Sequence, residues 1–189
     1  MKPYKIYVAE TATPPTDNLL YAVEDMIGFV PNIFAVLAES EASLRAFIQL
    51  NQQLGESSFD ATEREIIQTA ASVENQCGYC VAGHTAFANI QEVDSKIIDA
   101  VRNNQAIKQP KLESLNQFTR LMVNSKGSIN NQQLNDFFSA GYTPANALEV
   151  ILGICVKIFS NYAGNMIGIP LDDQFSRYEW YEAQTQETA

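Results

Sequence analysis

The sequence contains one histidine and only three cysteines among its 189 residues. So few cysteines, in an odd number, exclude the disulfide framework that stabilises many small secreted proteins. Glycine and proline are also scarce, at nine and seven residues, beside 46% apolar residues, so the chain is globular, without repeats or low-complexity segments. We expect one domain in a reducing compartment, the cytoplasm, with cysteines that either react or pack.

Basic residues are few as well, with 12 lysines and arginines against 22 acidic residues and a net charge of −10. This balance opposes binding to nucleic acid or to an anionic membrane surface, because both would repel the chain. No signal-peptide run occurs near the N-terminus, and the longest apolar stretch, 147–169, is interrupted by polar residues. We therefore expect a soluble protein with neither a membrane nor a nucleic acid as partner.

Apolar residues recur at helical spacing through most of the chain, and no alternating strand pattern is present. We predict an extended N-terminal arm over 1–17, one all-helical domain over 18–170, and a C-terminal tail over 171–189. The aromatic residues of the tail are expected to dock at a subunit interface. Asp60 and Glu63 predict a capping box that opens a helix, and Thr143-Pro144 predicts the start of the last helix, running to about Asn165.

Two of the three cysteines and the only histidine lie within eight residues, in the segment Glu74-Asn-Gln-Cys77-Gly-Tyr-Cys80-Val-Ala-Gly-His84. If a helix begins near residue 78, Cys77, Cys80 and His84 recur at i, i+3 and i+7 and share one face. The positive end of a helix dipole lowers a thiol pKa, and a histidine one turn away can accept the thiol proton. Cys80 is the predicted nucleophile, and Cys77 would resolve its sulfenic acid as a disulfide.

A histidine that acts as a base needs an acid to orient its second nitrogen. Glu74 precedes Cys77 by three residues, and Glu65 precedes it by twelve on the same predicted helix. Residue spacing alone leaves both glutamates open as the partner of His84.

Glu65, eleven intervening residues and then Cys77-x-x-Cys80-x-x-x-His84 resemble the core motif of the alkyl hydroperoxide reductase D and carboxymuconolactone decarboxylase family. Three further segments are similar to the peroxidase-related branch of that family, so the resemblance spans about residues 18–172: Gly28-Phe-Val-Pro-Asn32, Tyr142-Thr-Pro-Ala145 and Ser160-Asn-Tyr162. It implies an oligomeric all-α bundle with the CxxC motif at the N-terminus of a core helix. It also implies a proton relay formed by Glu65, Cys77, Cys80 and His84.

The sequence departs from the family pattern at two positions. Tyr79 stands where the alkyl hydroperoxide reductase D enzymes have a relay histidine, and Gly164-Asn165 stands where the related branch has Asn-His. We expect a shorter relay, altered by Tyr79 and Asn165.

The motif predicts a thiol-dependent hydroperoxide reductase that needs no haem, flavin or metal cofactor. Its expected partners are a hydroperoxide substrate, an external thiol reductant and further copies of itself, as a dimer, trimer or hexamer. Two alternatives stay open: a carboxymuconolactone decarboxylase-like lyase, and a non-catalytic module in which the cysteines switch redox state or bind zinc. Cys155 lies in an apolar run and is expected to be a buried filler without a role.

Overall fold

The computed structural model of the chain describes residues 4–181, which form helices and no strand, and this confirms the all-α prediction. Two short 3-10 helices, Ala9–Thr11 and Asp173–Tyr178, lie near the two ends of this range. Its α-helices are α1 (Thr16–Ile27), α2 (Asn32–Leu37), α3 (Glu41–Gly55), α4 (Ala61–Glu74), α5 (Gly78–Ile90), α6 (Ser95–Arg102), α7 (Pro110–Ser125), α8 (Asn131–Ser139) and α9 (Pro144–Ile167).

Local sequence signals set the ends of these helices. At the start of α4 the Asp60 carboxylate accepts the Glu63 N–H at 2.8 Å, and the Glu63 side chain accepts the Asp60 N–H, so the predicted capping box forms. Thr143 caps α9 in the same way. Gly28 and Gly168 end α1 and α9 with φ of 90° and 65°, a left-handed conformation that glycine adopts without steric cost.

Helix α4 lies at the centre of the molecule and packs against α5, α6, α7 and α9. Helix α9 packs against α4 on one side and α3 on the other, and so joins the two main apolar clusters. Ile67 of α4 and Val150 of α9 are fully buried in one cluster, and Val156 of α9 is fully buried in the second. The fold therefore brings α4, α5 and α9 together, and the first two carry the predicted site residues.

Helix α9 approaches α4 closely because Gly153 lacks a side chain. A Cβ atom at Gly153 would lie 2.6 Å from Cγ2 of Ile67, which is closer than two carbon atoms can pack. This contact fixes the distance between the two helices.

The N-terminal arm is not wholly extended. The 3-10 helix Ala9–Thr11 interrupts it, and α1 begins at Thr16 because both the backbone N–H and the hydroxyl of Thr16 bond the Thr13 carbonyl. Helix α9 likewise runs two residues beyond the predicted end, to Ile167, where Gly168 stops it. Residues 1–3 of the predicted arm lie outside the described range.

The described part of the tail, 171–181, packs on its own chain. Phe175 is 2% exposed and lies against Ala82 of α5, and a Cβ atom at Gly83 would lie 3.3 Å from its ring. The Arg102 guanidinium donates to the carbonyls of Tyr178 and Glu179 at 2.9 and 3.0 Å. Residues 182–189 lie outside the described range, and docking of the tail at a subunit interface stays a prediction.

The prediction that Cys155 is buried is wrong, because this thiol is exposed on the outer face of α9. It sits within an apolar stripe whose other exposed members are Leu148, Ile151, Ile158, Tyr162 and Met166. A helix that is apolar on all sides is normally buried, but its sequence does not say whether the residues that bury it come from the same chain or from another. By length and composition α9 could also cross a membrane, but core helices of soluble proteins pass the same test, and 44% of its apolar window is buried here.

The exposed stripe on α9 makes the predicted homo-oligomer testable. If further copies of the chain cover this face, sedimentation analysis should give a mass above the 21.0 kDa of one chain, and Ile151→Asp should lower it. A wild-type protein that sediments as a monomer would contradict the expectation.

Gly153→Ala should destabilise the fold, because the added methyl group forces α9 away from Ile67. We expect the free energy of unfolding to fall by about 1–3 kcal/mol in urea denaturation. Gly55→Ala is the matched control: a Cβ at Gly55 meets nothing within 4 Å, so its stability should stay unchanged or rise slightly. Equal stability of the two variants would show that the α4–α9 contact is not tight.

Candidate active site

The CxxC motif lies where the chain reverses direction between α4 and α5. Gln76 has a φ of 54°, and the Cys77 N–H donates to the Ser72 carbonyl at 3.0 Å, which ends α4 and turns the chain. Cys77 is the N-cap of α5, and Cys80 lies in its first turn. The predicted placement of the motif at the N-terminus of a core helix is therefore confirmed, and the two cysteines sit at the positive end of the helix dipole.

The two thiols are free and their sulfurs lie 2.8 Å apart, with the Cys77 thiol donating to the Cys80 sulfur. Both residues are buried, at 1% and 4% exposure. A Cβ atom at Gly164 of α9 would lie 3.1 Å from the Cys77 sulfur, and one at Gly78 would lie 2.9 Å from the Trp180 carbonyl oxygen. Cys77 is therefore enclosed by α9, and the tail covers the neighbouring Gly78.

Glu65, rather than Glu74, is the partner of His84. The antiparallel arrangement of α4 and α5 places a Glu65 carboxylate oxygen 2.9 Å from His84 Nδ1, and Gln91 donates to the other oxygen at 2.8 Å. Glu74 instead forms an ion pair with Arg120 and accepts a hydrogen bond from Asn124. The structure thus decides between the two glutamates that residue spacing left open.

Lys157 of α9 is a residue of the site that sequence reasoning missed. It is 3% exposed, and its Nζ lies 2.6 Å from His84 Nε2. The only signal in the sequence is a lysine inside the longest apolar stretch, where a long cationic side chain has to find a buried partner. The sequence predicts transfer of a proton from Cys80 to His84 directly or through a water; in the structure Nε2 of His84 faces Lys157 instead.

His84 is neutral in this arrangement. Burial and the charge of Lys157 lower the pKa of His84, and Glu65 opposes them only in part. A neutral imidazole has one N–H, and the carboxylate of Glu65 at Nδ1 can only accept it. Nε2 is therefore the acceptor, and the Lys157 ammonium donates to it.

Cys80 is the thiol that ionises first. Burial raises its pKa, but the hydrogen bond from Cys77, the charge of Lys157, and hydrogen bonds from Asn161 and Ser160 together lower that pKa to about 6. The same contact raises the pKa of Cys77, since Cys77 is the donor and burial adds to the effect. Near neutral pH the pair is a Cys80 thiolate beside a Cys77 thiol.

A partly open cavity of about 180 Å³ lies over Cys80. Its polar wall includes Glu65, His84, Lys157 and the side chain of Gln68, which makes no hydrogen bond to another residue within 4–181. Its remaining wall is mainly apolar and includes Ile33, Phe34, Phe47, Phe87 and Phe175. Cys80 faces this space, whereas Cys77 lies behind it.

The two residues that depart from the family pattern both have structural partners. The Tyr79 hydroxyl donates to Asp172 at 2.6 Å and accepts the Ile33 N–H at 3.1 Å, so it joins the tail to α2 rather than entering the relay. Asn165 donates to the Asn75 carbonyl at 2.8 Å and so holds the turn before Cys77. Across residues 4–181, no cluster of three or more cysteine, histidine and acidic side chains is arranged to hold a metal.

The all-helical architecture and the paired thiols define a protein with the alkylhydroperoxidase core fold. The alkylhydroperoxidase AhpD core protein of Ralstonia eutropha JMP134, described as an uncharacterized peroxidase-related protein, superposes with a TM-score of 0.82 at 27% identity, over 91% of this chain and 93% of that one. An uncharacterized peroxidase-related protein of Silicibacter sp. TM1040 gives 0.80 at 19% identity, over 93% and 95%. The debrominase Bmp8 gives 0.75 at 15% identity, over 87% and 90%.

Residues 41–109, which contain the motif, match the sequence profile of the carboxymuconolactone decarboxylase family. The family resemblance predicted from the sequence is therefore confirmed. No curated protein matches the chain.

The thiolate of Cys80 can be titrated directly by its absorbance near 240 nm. In reduced Cys155→Ser protein, which lacks the exposed third thiol, we expect one thiolate to form with a midpoint near pH 6. The additional Cys80→Ser substitution should remove this transition. A first midpoint at or above the ordinary thiol value of about 8.5 would contradict the assignment.

Proposed function

We propose that this protein is a thiol-dependent hydroperoxide reductase that cycles between the Cys77–Cys80 dithiol and its disulfide. The observation that carries the proposal is the pair of sulfurs 2.8 Å apart, of which Cys80 faces a partly open, mainly apolar cavity beside the Glu65–His84 pair. A lyase acting on a lactone has no need of two adjacent thiols. We therefore assign peroxide reduction by the dithiol, rather than decarboxylation of a lactone, as the activity.

In the first step the Cys80 thiolate attacks one peroxide oxygen, and the O–O bond breaks. The sulfur is oxidised to a sulfenic acid, while the other oxygen leaves as an alkoxide and takes up a proton to become an alcohol. Glu65 and His84 lie beside the reacting sulfur, with Glu65 fixing the tautomer of His84.

In the second step the Cys77 thiol attacks the sulfenic sulfur, a disulfide forms and water leaves. The two sulfurs already lie 2.8 Å apart, so this step needs only a small movement to reach a disulfide bond of about 2.05 Å. Two equivalents of an external thiol then restore the dithiol and leave as a disulfide. The cycle requires no haem, flavin or metal.

The cavity indicates the kind of peroxide. An apolar cavity of about 150 Å³ is large enough to hold benzene, and this one, of about 180 Å³, is walled mainly by aromatic and aliphatic side chains. We propose a small organic hydroperoxide as substrate, an external thiol as reductant, and the cytoplasm as the reducing compartment. The net charge of −10 supports a protein that avoids nucleic acid and anionic membranes.

A thiol count tests the proposal. One equivalent of cumene hydroperoxide added to reduced, chelator-treated protein should lower the free thiols from three to one and the mass by two hydrogens, with the bridge mapped to Cys77 and Cys80. Cys80→Ser should abolish catalytic turnover, because it removes the nucleophile. Cys77→Ser should stop after one turnover as a sulfenic acid that dimedone traps.

Cys155→Ser is the matched control, since this exposed thiol lies outside the site and its loss should leave turnover unchanged. Catalytic peroxide consumption by the Cys80→Ser protein would overturn the proposal. Consumption of a carboxymuconolactone by the Cys77→Ser/Cys80→Ser double variant would favour the lyase instead. Stoichiometric zinc in protein purified without added metal would favour the binding module.

A further inference from the structure

The peroxidase cycle described so far leaves one buried charged group without a role. Lys157 is 3% exposed, and among residues 4–181 its ammonium makes a single hydrogen bond, to the neutral imidazole of His84. An ammonium buried in an apolar site is costly unless an anion lies close to it. The Glu65 carboxylate lies on the far side of the imidazole, at Nδ1. The anion that balances Lys157 has to be another group.

The geometry of α9 places Lys157 beside Cys80. Ser160 and Asn161 follow Lys157 at i+3 and i+4, so the three side chains share one face of the helix. Ser160 Oγ lies 3.9 Å from the Cys80 sulfur, and both Lys157 and Cys80 line the same cavity. The Cys80 thiolate is therefore the anion available to Lys157.

We propose that Lys157 is the catalytic cation of the dithiol site: it holds Cys80 as a thiolate and then gives its proton to the alkoxide that leaves the peroxide. Glu65 and His84 act as positioning residues, since Glu65 fixes the imidazole and Nε2 of the imidazole fixes the Lys157 ammonium. This proposal rests on the proposed peroxidase function and assigns the proton of its first step.

The proton and charge balance closes within the site. The thiolate of Cys80 becomes a sulfenic acid, the leaving alkoxide takes a proton from the Lys157 ammonium, and the lysine is left as a neutral amine. After the disulfide has formed and two external thiols have reduced it, the Cys80 thiol returns its proton to that amine. The negative charge moves only from sulfur to the leaving oxygen, and Lys157 faces both positions across the cavity.

Among the described residues, Lys157 is the only cation that faces Cys80. Helix α5 contributes the neutral Cys77 thiol and the neutral His84 imidazole, and α4 contributes the Glu65 carboxylate, which is hydrogen-bonded to that imidazole. Helix α9 adds two uncharged donors, Ser160 and Asn161. The Asp172 carboxylate of the tail accepts a hydrogen bond from Tyr79. The charge of Lys157 also lowers the pKa of both Cys80 and His84, as a cation near both groups should.

Lys157→Met tests the proposal, because it keeps much of the side-chain length and removes the charge. In the reduced Cys155→Ser background, titration near 240 nm should show the Cys80 midpoint moving from near pH 6 to above about 8.5. Gln68→Leu is the matched control, since it removes a polar, uncharged side chain from the same cavity wall, and its midpoint should not move. An unchanged midpoint in Lys157→Met would overturn the proposal.

The role as an acid needs a second measurement, made at a pH where Cys80 is fully ionised in each variant. Lys157→Met should then react at least tenfold more slowly than the parent with tert-butyl hydroperoxide, whose alkoxide needs a proton. It should react at a similar rate with peracetic acid, whose acetate leaves without one. Equal losses with both oxidants would overturn the acid role.

Lys157→Gln gives the same test if the methionine variant does not fold. The titration requires no turnover, so the two proposals fail separately. A raised midpoint in a protein that does not consume peroxide refutes the peroxidase and keeps the Lys157–Cys80 pair. An active enzyme whose midpoint does not move keeps the peroxidase proposal and refutes the Lys157–Cys80 pair.

Discussion

The close packing of α9 against α4 and the CxxC turn is the constraint on which the site depends. Gly153 lets α9 approach Ile67, and Gly164 lets the same helix pass next to the Cys77 sulfur. Because both glycines lie on one rigid helix, the positions of Lys157, between them, and of the cysteine pair are fixed relative to each other. Protein interiors are packed as densely as crystals, so a methyl group at either glycine changes this geometry.

The site combines buried groups that would each be unfavourable alone. A carboxylate, an imidazole, an ammonium and a thiolate lie in sequence across α4, α5 and α9, and each has a partner of complementary charge or hydrogen-bonding character. The low polarity of the cavity strengthens these interactions, because little water competes with them. The same environment makes each of the four groups dependent on the others, so the proposed function requires all four and not the CxxC motif alone.

Much of this arrangement could be predicted from the sequence, and the reason differs from residue to residue. Helical periodicity and caps at Asp60 and Thr143 predicted α4 and α9, since these signals act over a few residues. The offset from Cys80 to His84 placed both on one face of α5 for the same reason. The choice of Glu65 over Glu74 depends on how α4 and α5 pack against each other, and residue spacing along one helix carries no information about that packing.

Two residues of α9 show where sequence reasoning fails. Lys157 interrupts an apolar stretch, and the sequence indicates only a polar break there, because nothing local shows that a residue 73 positions earlier will meet it. Cys155 lies in the same stretch and was predicted to be buried, yet it faces outward. The outward face of an apolar helix is covered only if a partner binds there, and the sequence of one chain does not state which face is the outward one.

The enclosure of Cys77 has a consequence for the reductive half of the proposed cycle. Helix α9 at Gly164 covers the Cys77 sulfur, whereas the cavity opens onto Cys80. A disulfide between them would thus present a single atom to an incoming thiol. The mixed disulfide would form on Cys80, and Cys77 would be the thiol released, so the fold gives the exchange reaction a fixed direction.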